Sequence, residues 1–216
     1  MKDHYWAPSP NVDSGATTPR PGPSNAAQKI SYSSLKRQVN WKADMVAKGK
    51  YGRRGPRTMR PTYITIHSTQ NRSADAYRHA VALKRGALRT GQYPGYLIWH
   101  FTVDDHVALQ HMPLNEQGVH ADFGGPGNKY SIGIEMCENR GCNLGVTIDR
   151  TAKLTALLMR EYGIPLSHVV PHYHWPRKGK TPPHKNCPHF LLDNGRPGKK
   201  WQGFLNRVNY YYRAIE

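Results

Sequence analysis

From residue 61 onward, short apolar segments with a two-residue period alternate with longer stretches of helical period, and few architectures accept that alternation. Tyr63-Ile64-Thr65-Ile66-His67 puts Ile64 and Ile66 on one face and Thr65 and His67 on the other. Ser131 to Met136 repeats the pattern, with Ile132, Ile134 and Met136 toward a core and Ser131, Gly133 and Glu135 opposite. Tyr96 to Asp104 and Val107 to Gln110 flank Asp104-Asp105-His106 and read as a hairpin, and Val169-Val170 reads as a short last strand. Between them Ser73 to Leu88 reads as a helix with Ser73 as its N-cap. A second helix starts at Asp149, carries Leu154, Leu157, Leu158 and Tyr162, and stops at Gly163 and Pro165. Trp201, Phe204, Leu205, Val208 and Tyr212 stripe a C-terminal helix. Strands interleaved with helices predict an α/β domain with a mixed central β-sheet flanked by helices.

The first 60 residues lack this pattern. Residues 7–28 are rich in Pro, Ser and Gly and hold almost no large apolar side chain, so they cannot bury enough surface to offset their ordering entropy. Residues 1–29 therefore read as a flexible tether. Residues 30–60 read as a basic N-terminal arm in which Ile30, Tyr32, Leu35, Val39, Trp41 and Met45 are scattered anchors. The folded domain is expected over 61–216.

Charge narrows the partner. The net charge is +17, with 12 basic against three acidic residues in 1–60 and 19 against 11 in the remainder. Nucleic acid would suit such a balance, but the basic residues do not cluster on one helix and no nucleic-acid motif occurs. An anionic polymer of another kind, such as a bacterial cell wall, suits it equally. No apolar run approaches the roughly 18 residues a membrane span needs. Met1-Lys2-Asp3-His4 leads into Pro and Ser, which reads as no secretory leader.

Three residues offer metal chemistry. His67 and His172 each end a strand, and Cys187 lies in Lys185-Asn186-Cys187-Pro188. Two imidazoles and a thiolate are a legitimate set for Zn²⁺, with the fourth tetrahedral position left for water. Their spacing matches no zinc motif, and a hydrogen-bonded strand-end histidine is the competing reading. Glu135 sits inside an apolar strand beside Gly133, where small neighbours leave room for an approaching group. A buried carboxylate there is either functional or held in a salt bridge to an Arg.

These residues also carry a resemblance. Tyr63-Ile64-Thr65-Ile66-His67-Ser68-Thr69, Trp99-His100-Phe101-Thr102-Val103-Asp104-Asp105 and Gln110-His111-Met112-Pro113-Leu114-Asn115-Glu116 open a series of blocks. Gly118-Val119-His120-Ala121, Gly127-Asn128-Lys129-Tyr130-Ser131-Ile132-Gly133-Ile134-Glu135, Val169-Val170-Pro171-His172 and Lys185-Asn186-Cys187-Pro188-His189 continue it. Over residues 61–192 the chain resembles the zinc-dependent type 2 N-acetylmuramoyl-L-alanine amidases, relatives of peptidoglycan recognition proteins, and most of all the prophage and Bacillus-type endolysin amidases. The resemblance implies a catalytic amidase domain that cleaves the amide between the lactyl group of N-acetylmuramic acid and the L-alanine of the stem peptide. It implies one Zn²⁺ per chain, on His67, His172 and Cys187. Glu135 matches the acidic residue that handles the attacking water's proton, and Lys185 the cation that stabilises the transition state. His120 and Asn128 fall beside the substrate or behind the ligands. Trp99 stands where other branches carry Tyr; it cannot transfer a proton and is assigned to the substrate side.

Pro176 to His184 is a basic, Pro-rich insertion where relatives are shorter, so His174 competes with His172 as the ligand. Peptidoglycan is the expected partner, with no nucleic acid and no membrane span, and the chain is expected to act as a monomer. The place of action is the cell wall, periplasm or exterior, for an exported enzyme freed of its leader, or the cytoplasm for a phage-type endolysin. The alternative function is a peptidoglycan-binding protein without activity, which would typically lack Cys187. Cys137 and Cys142 flank the polar stretch Glu138 to Gly141 and are read either as a disulfide or as two free thiols.

Overall fold

The structure, a computed structural model, describes residues 28–216. The expected tether, apart from residues 28 and 29, lies outside the described residues. In chain order the main elements are α1 (Tyr32–Val39), β1 (Trp41–Ala43), β2 (Tyr63–Ser68), α2 (Ala76–Lys84), β3 (Phe101–Val103) and β4 (Ala108–Gln110). They continue with α3 (Pro126–Tyr130), β5 (Ser131–Met136), α4 (Leu144–Tyr162), β6 (Val169–Pro171) and α5 (Lys199–Ala214). The six strands form one mixed sheet in the order β1-β4-β3-β5-β2-β6, parallel throughout except for the β3–β4 hairpin.

The alternation in β2 and β5 decides which face is buried. Ile64, Ile66, Ile132, Ile134 and Met136 share one cluster with Leu35, Leu154, Leu157, Leu158, Phe204 and Val208, so α1, α4 and α5 cover that side. On the opposite side α2 packs against β3 and β4, where Ala76 and Ala80 meet Val107 and Leu109. The polar face of β2 and β5, with His67 paired in register to Glu135, is left for chemistry.

Several boundaries differ from the sequence reading. Asn143 caps α4, its Oδ1 accepting the Val146 N–H at 3.2 Å, so Asp149 lies inside the helix. Thr147, Thr151 and Thr155 fill its buried face with their hydroxyls returned to carbonyls four residues back, which hides the apolar stripe. Asp149 instead accepts the Tyr211 hydroxyl at 2.7 Å and pairs with Lys153, joining α4 to α5. Asp75 caps α2 in place of Ser73, which is folded back on Asn71. Residues 30–60 supply α1 and the parallel edge strand β1. Arg150 fixes this region by donating to the carbonyls of Gln38, Val39, Asp104 and Asp105. No helix among the described residues is long and apolar enough to cross a membrane.

Candidate metal centre

Strand register assembles the centre. Ile66 pairs with Pro171 across parallel β2 and β6, so the next residue of each, His67 and His172, lie side by side at the strand ends. Their Nδ1 atoms are 2.9 Å apart. Cys187 enters from the loop beyond, its Sγ accepting the Ser68 N–H at 3.3 Å. The donor atoms of His67, His172 and Cys187 all lie within 4.8 Å of one another, and all three residues are buried.

The hydrogen bond behind His172 fixes its tautomer. His172 Nε2–H donates to the Ala121 carbonyl at 2.8 Å, which frees its Nδ1 lone pair. His67 Nε2 meets His120 Nδ1 at 3.0 Å. With the proton on His67 Nε2, its Nδ1 lone pair faces that of His172, an arrangement that repels unless a cation sits between them. Burial, with His172, His120 and Lys185, holds His67 well below the usual imidazole range, and burial takes His172 to about 3, so both rings stay neutral. Burial, with Glu135 adding to it, raises the Cys187 thiol to about 12. A thiol that resists ionisation beside two opposed lone pairs is a donor set completed by a borderline-soft divalent cation. The residues fit Zn²⁺ better than Mg²⁺ or Ca²⁺, which prefer oxygen.

Glu135 stands beside this set. Its Oε1 is 3.8 Å from His67 Nδ1, a contact with a neutral ring rather than an ion pair, and Oε2 is buried without a partner among the described residues. Burial raises its carboxyl to about 7, with Lys185 opposing and Glu138 reinforcing the shift. No Arg pairs with it among the described residues, which removes the structural salt-bridge reading.

The N-acetylmuramoyl-L-alanine amidase family pattern matches residues 57–190. The chain belongs to that family. It is 41% identical over 155 residues to the N-acetylmuramoyl-L-alanine amidase CwlH of Bacillus subtilis (strain 168), covering 70% of this chain and 54% of CwlH. It is 42% identical over 158 residues to the amidase XlyA of the same organism, covering 72% and 48%. The chain thus spans about half the length of the curated relatives it matches. The solved catalytic domain of XlyA superimposes with a TM-score of 0.64 at 39% identity, covering 78% of this chain and 99% of that one.

The other residues singled out in the sequence are placed as follows. His120 is buried against Gly133, where its ring occupies the room that the small residue leaves beside Glu135. Asn128 is buried too: its Oδ1 accepts the N–H groups of His120 (2.9 Å) and Ala121 (2.8 Å), and its amide donates to Gln92. Both are buried, His120 against His67 and Asn128 on the main chain of His120 and Ala121. Trp99 is buried with Val46, Leu83, Ile98 and Met112, and its indole N–H donates to Thr102. Lys185 is half-buried, and its charge acts on Glu135, His67, His172 and Cys187 together. His174 is exposed, stacks on Tyr63 and lies outside the donor cluster; His184 donates to the Tyr173 carbonyl. Cys137 and Cys142 are free thiols, so the disulfide reading gives way to its alternative. The Ala121 carbonyl and the Ser68 N–H escaped the sequence reading because main-chain groups leave no mark in it.

Proposed function

We propose that this chain is a peptidoglycan hydrolase that cleaves the amide between the lactyl group of N-acetylmuramic acid and the L-alanine of the stem peptide, with one Zn²⁺ held by His67, His172 and Cys187. One observation carries the reading: a half-buried carboxylate in register with one member of a buried two-nitrogen, one-sulfur donor set. Zn²⁺ bound there supplies a Lewis acid for the scissile carbonyl and for an attacking water. Glu135, with its carboxyl near neutrality, takes the proton of that water and returns it to the departing nitrogen. Its unpartnered Oε2 is the atom free to hold the proton. Lys185 meets the negative charge that develops on the carbonyl oxygen, a role whose loss typically costs about 10²–10³ in rate. His120 and the Ala121 carbonyl keep the two imidazoles in the tautomers this requires.

The net charge of +17 suits an anionic cell wall, the proposed place of action, reached by export or as a phage-type endolysin. Mass spectrometry of digested wall tests the reaction. Free stem peptides beginning with L-alanine should appear, vanish with chelator and return with Zn²⁺. Cleavage only within the glycan or between peptide residues would overturn the reading.

A further inference from the structure

Beside the metal centre, the insertion Pro176 to His184 forms one wall of a separate cavity. The Arg177 N–H donates to the Pro183 carbonyl at 2.9 Å, and its guanidinium donates to the carbonyls of Pro182 (3.2 Å) and Pro183 (3.4 Å). His184 donates to the Tyr173 carbonyl at 2.7 Å and stacks on the Tyr173 ring at 4.8 Å. The Tyr173 N–H donates to the Cys187 carbonyl, so the insertion is fastened next to two of the three metal donors. The facing wall is the turn Asp193 to Arg196, in which Asn194 (φ 50°) and Gly195 (φ 78°) both take the left-handed conformation that a tight two-residue turn requires. The Asp193 carboxylate is committed elsewhere, accepting the Lys200 N–H at the start of α5.

The cavity measures about 530 Å³. Arg177, Lys185 and Arg196 line it with the amides of Asn186 and Asn194, and no carboxylate does. Among the described residues none of the three cations is ion-paired. Three positive charges around one concavity, without an ion-pair contact among the described residues, make a site for an anion. Lys185 belongs both to this lining and to the field of Glu135 and His67, so the cavity adjoins the place where the amide would react.

We propose that the cavity is a specificity subsite for a free carboxylate on the second residue of the stem peptide, with Arg196 as the selecting side chain. The proposal rests on the amidase reading above. A peptide residue spans at most about 3.5 Å, so that carboxylate lies within about 7 Å of the scissile nitrogen, at a fixed offset from the reacting bond. A guanidinium matches a carboxylate through two parallel hydrogen bonds, and an amidated stem offers no charge to pair. A wall phosphate offers charge but no fixed offset from the amide.

The test uses two synthetic muramoyl-tripeptides that differ only in a free or amidated second residue. The zinc-loaded protein should show a KM about tenfold lower for the free form. Arg196→Gln should raise that KM to the level of the amidated form and leave kcat on both unchanged. Arg196 is exposed and its side chain makes no hydrogen bond among the described residues, so the variant should melt like the parent. Equal KM values in the parent, or a preference that survives Arg196→Gln, would overturn the subsite. Calorimetry with the tripeptide alone, free and amidated, separates the two readings. If neither muramoyl substrate is cut, the amidase reading fails, yet tighter binding of the free tripeptide by the parent and not by Arg196→Gln still upholds the subsite. Inhibition by poly(glycerol phosphate) that Arg196→Gln abolishes, with no discrimination between the tripeptides, would assign the cavity to wall phosphate instead and overturn the proposal.

Discussion

The ring of His120 rests on Gly133: a Cβ built at that glycine would fall 2.8 Å from the ring's Cε1, Nδ1 and Nε2 atoms. The same ring is the hydrogen-bond partner of His67 Nε2. Gly133 is thus the seat of the ring that hydrogen-bonds His67, two residues before Glu135 on the same strand.

Gly133→Ala should therefore push His120 away and release His67 without disturbing the core, since residue 133 faces away from Ile132 and Ile134. Zinc affinity, measured by competition with a chromogenic chelator, should fall about 10–100-fold, the usual cost of losing such a partner. Gly203→Ala on α5, where a Cβ meets nothing within 4 Å, is the control and should leave affinity unchanged. Unchanged affinity in Gly133→Ala would show that His120 does not orient His67.

The sequence disclosed strands more faithfully than helix starts, for a physical reason. Ile64, Ile66, Ile132, Ile134 and Met136 mark β2 and β5 by strict alternation, because one face meets helices and the other meets the centre. The start of α4 was hidden because its buried face is built from threonines whose hydroxyls bond within the helix, which resembles a polar surface when read as letters. That His67, His172 and Cys187 come together was legible through family blocks, but spacing alone could not have joined them. A parallel register and a loop crossing are invisible in the chain. The burial of Trp99 was not legible because its packing partners come from distant segments around Val46, Leu83 and Met112.

His172 and His174 are separable by metal content. His172→Ala should lose most of its zinc, because it removes a donor 2.9 Å from His67 Nδ1. His174→Ala should keep about one equivalent, because that ring is exposed against Tyr63 and Trp175. Elemental analysis of the two purified variants decides, and the reverse pattern would move the ligand to His174.

Acid should destabilise the fold through His111. Its Nε2 accepts from the Thr102 hydroxyl at 2.8 Å, Thr102 in turn accepts the Trp99 indole N–H, and its Nδ1–H donates to the Asp44 carbonyl. That chain needs a neutral ring, and burial lowers its pKa from 6.5 to about 4. Between those values the unfolded chain binds a proton that the folded chain refuses, so stability is full above about pH 6.5 and falls as pH drops toward 4. The loss from this group approaches about 3 kcal/mol. Melting His111→Gln beside the parent from pH 7 to 4.5, in the same metal state, should show a lower Tm at pH 7 and a flatter pH slope. Parallel slopes would remove His111 as the source.

Glu135→Gln separates chemistry from structure. The substitution keeps size and hydrogen-bonding capacity but cannot take a proton, and losses for such changes are typically about 10²–10⁴ in rate. Zinc content should not change, since Glu135 lies outside the donor set. Stability should hold or rise, because the variant replaces a half-buried carboxylate whose buried Oε2 has no partner among the described residues with a neutral amide. Wall-cleavage rate, zinc content and Tm measured on one preparation give the answer. A structural carboxylate would instead yield a less stable protein with full activity per folded molecule. A stable, zinc-loaded Glu135→Gln that cuts at the parental rate would leave the proton transfer to another group and overturn the role given to Glu135.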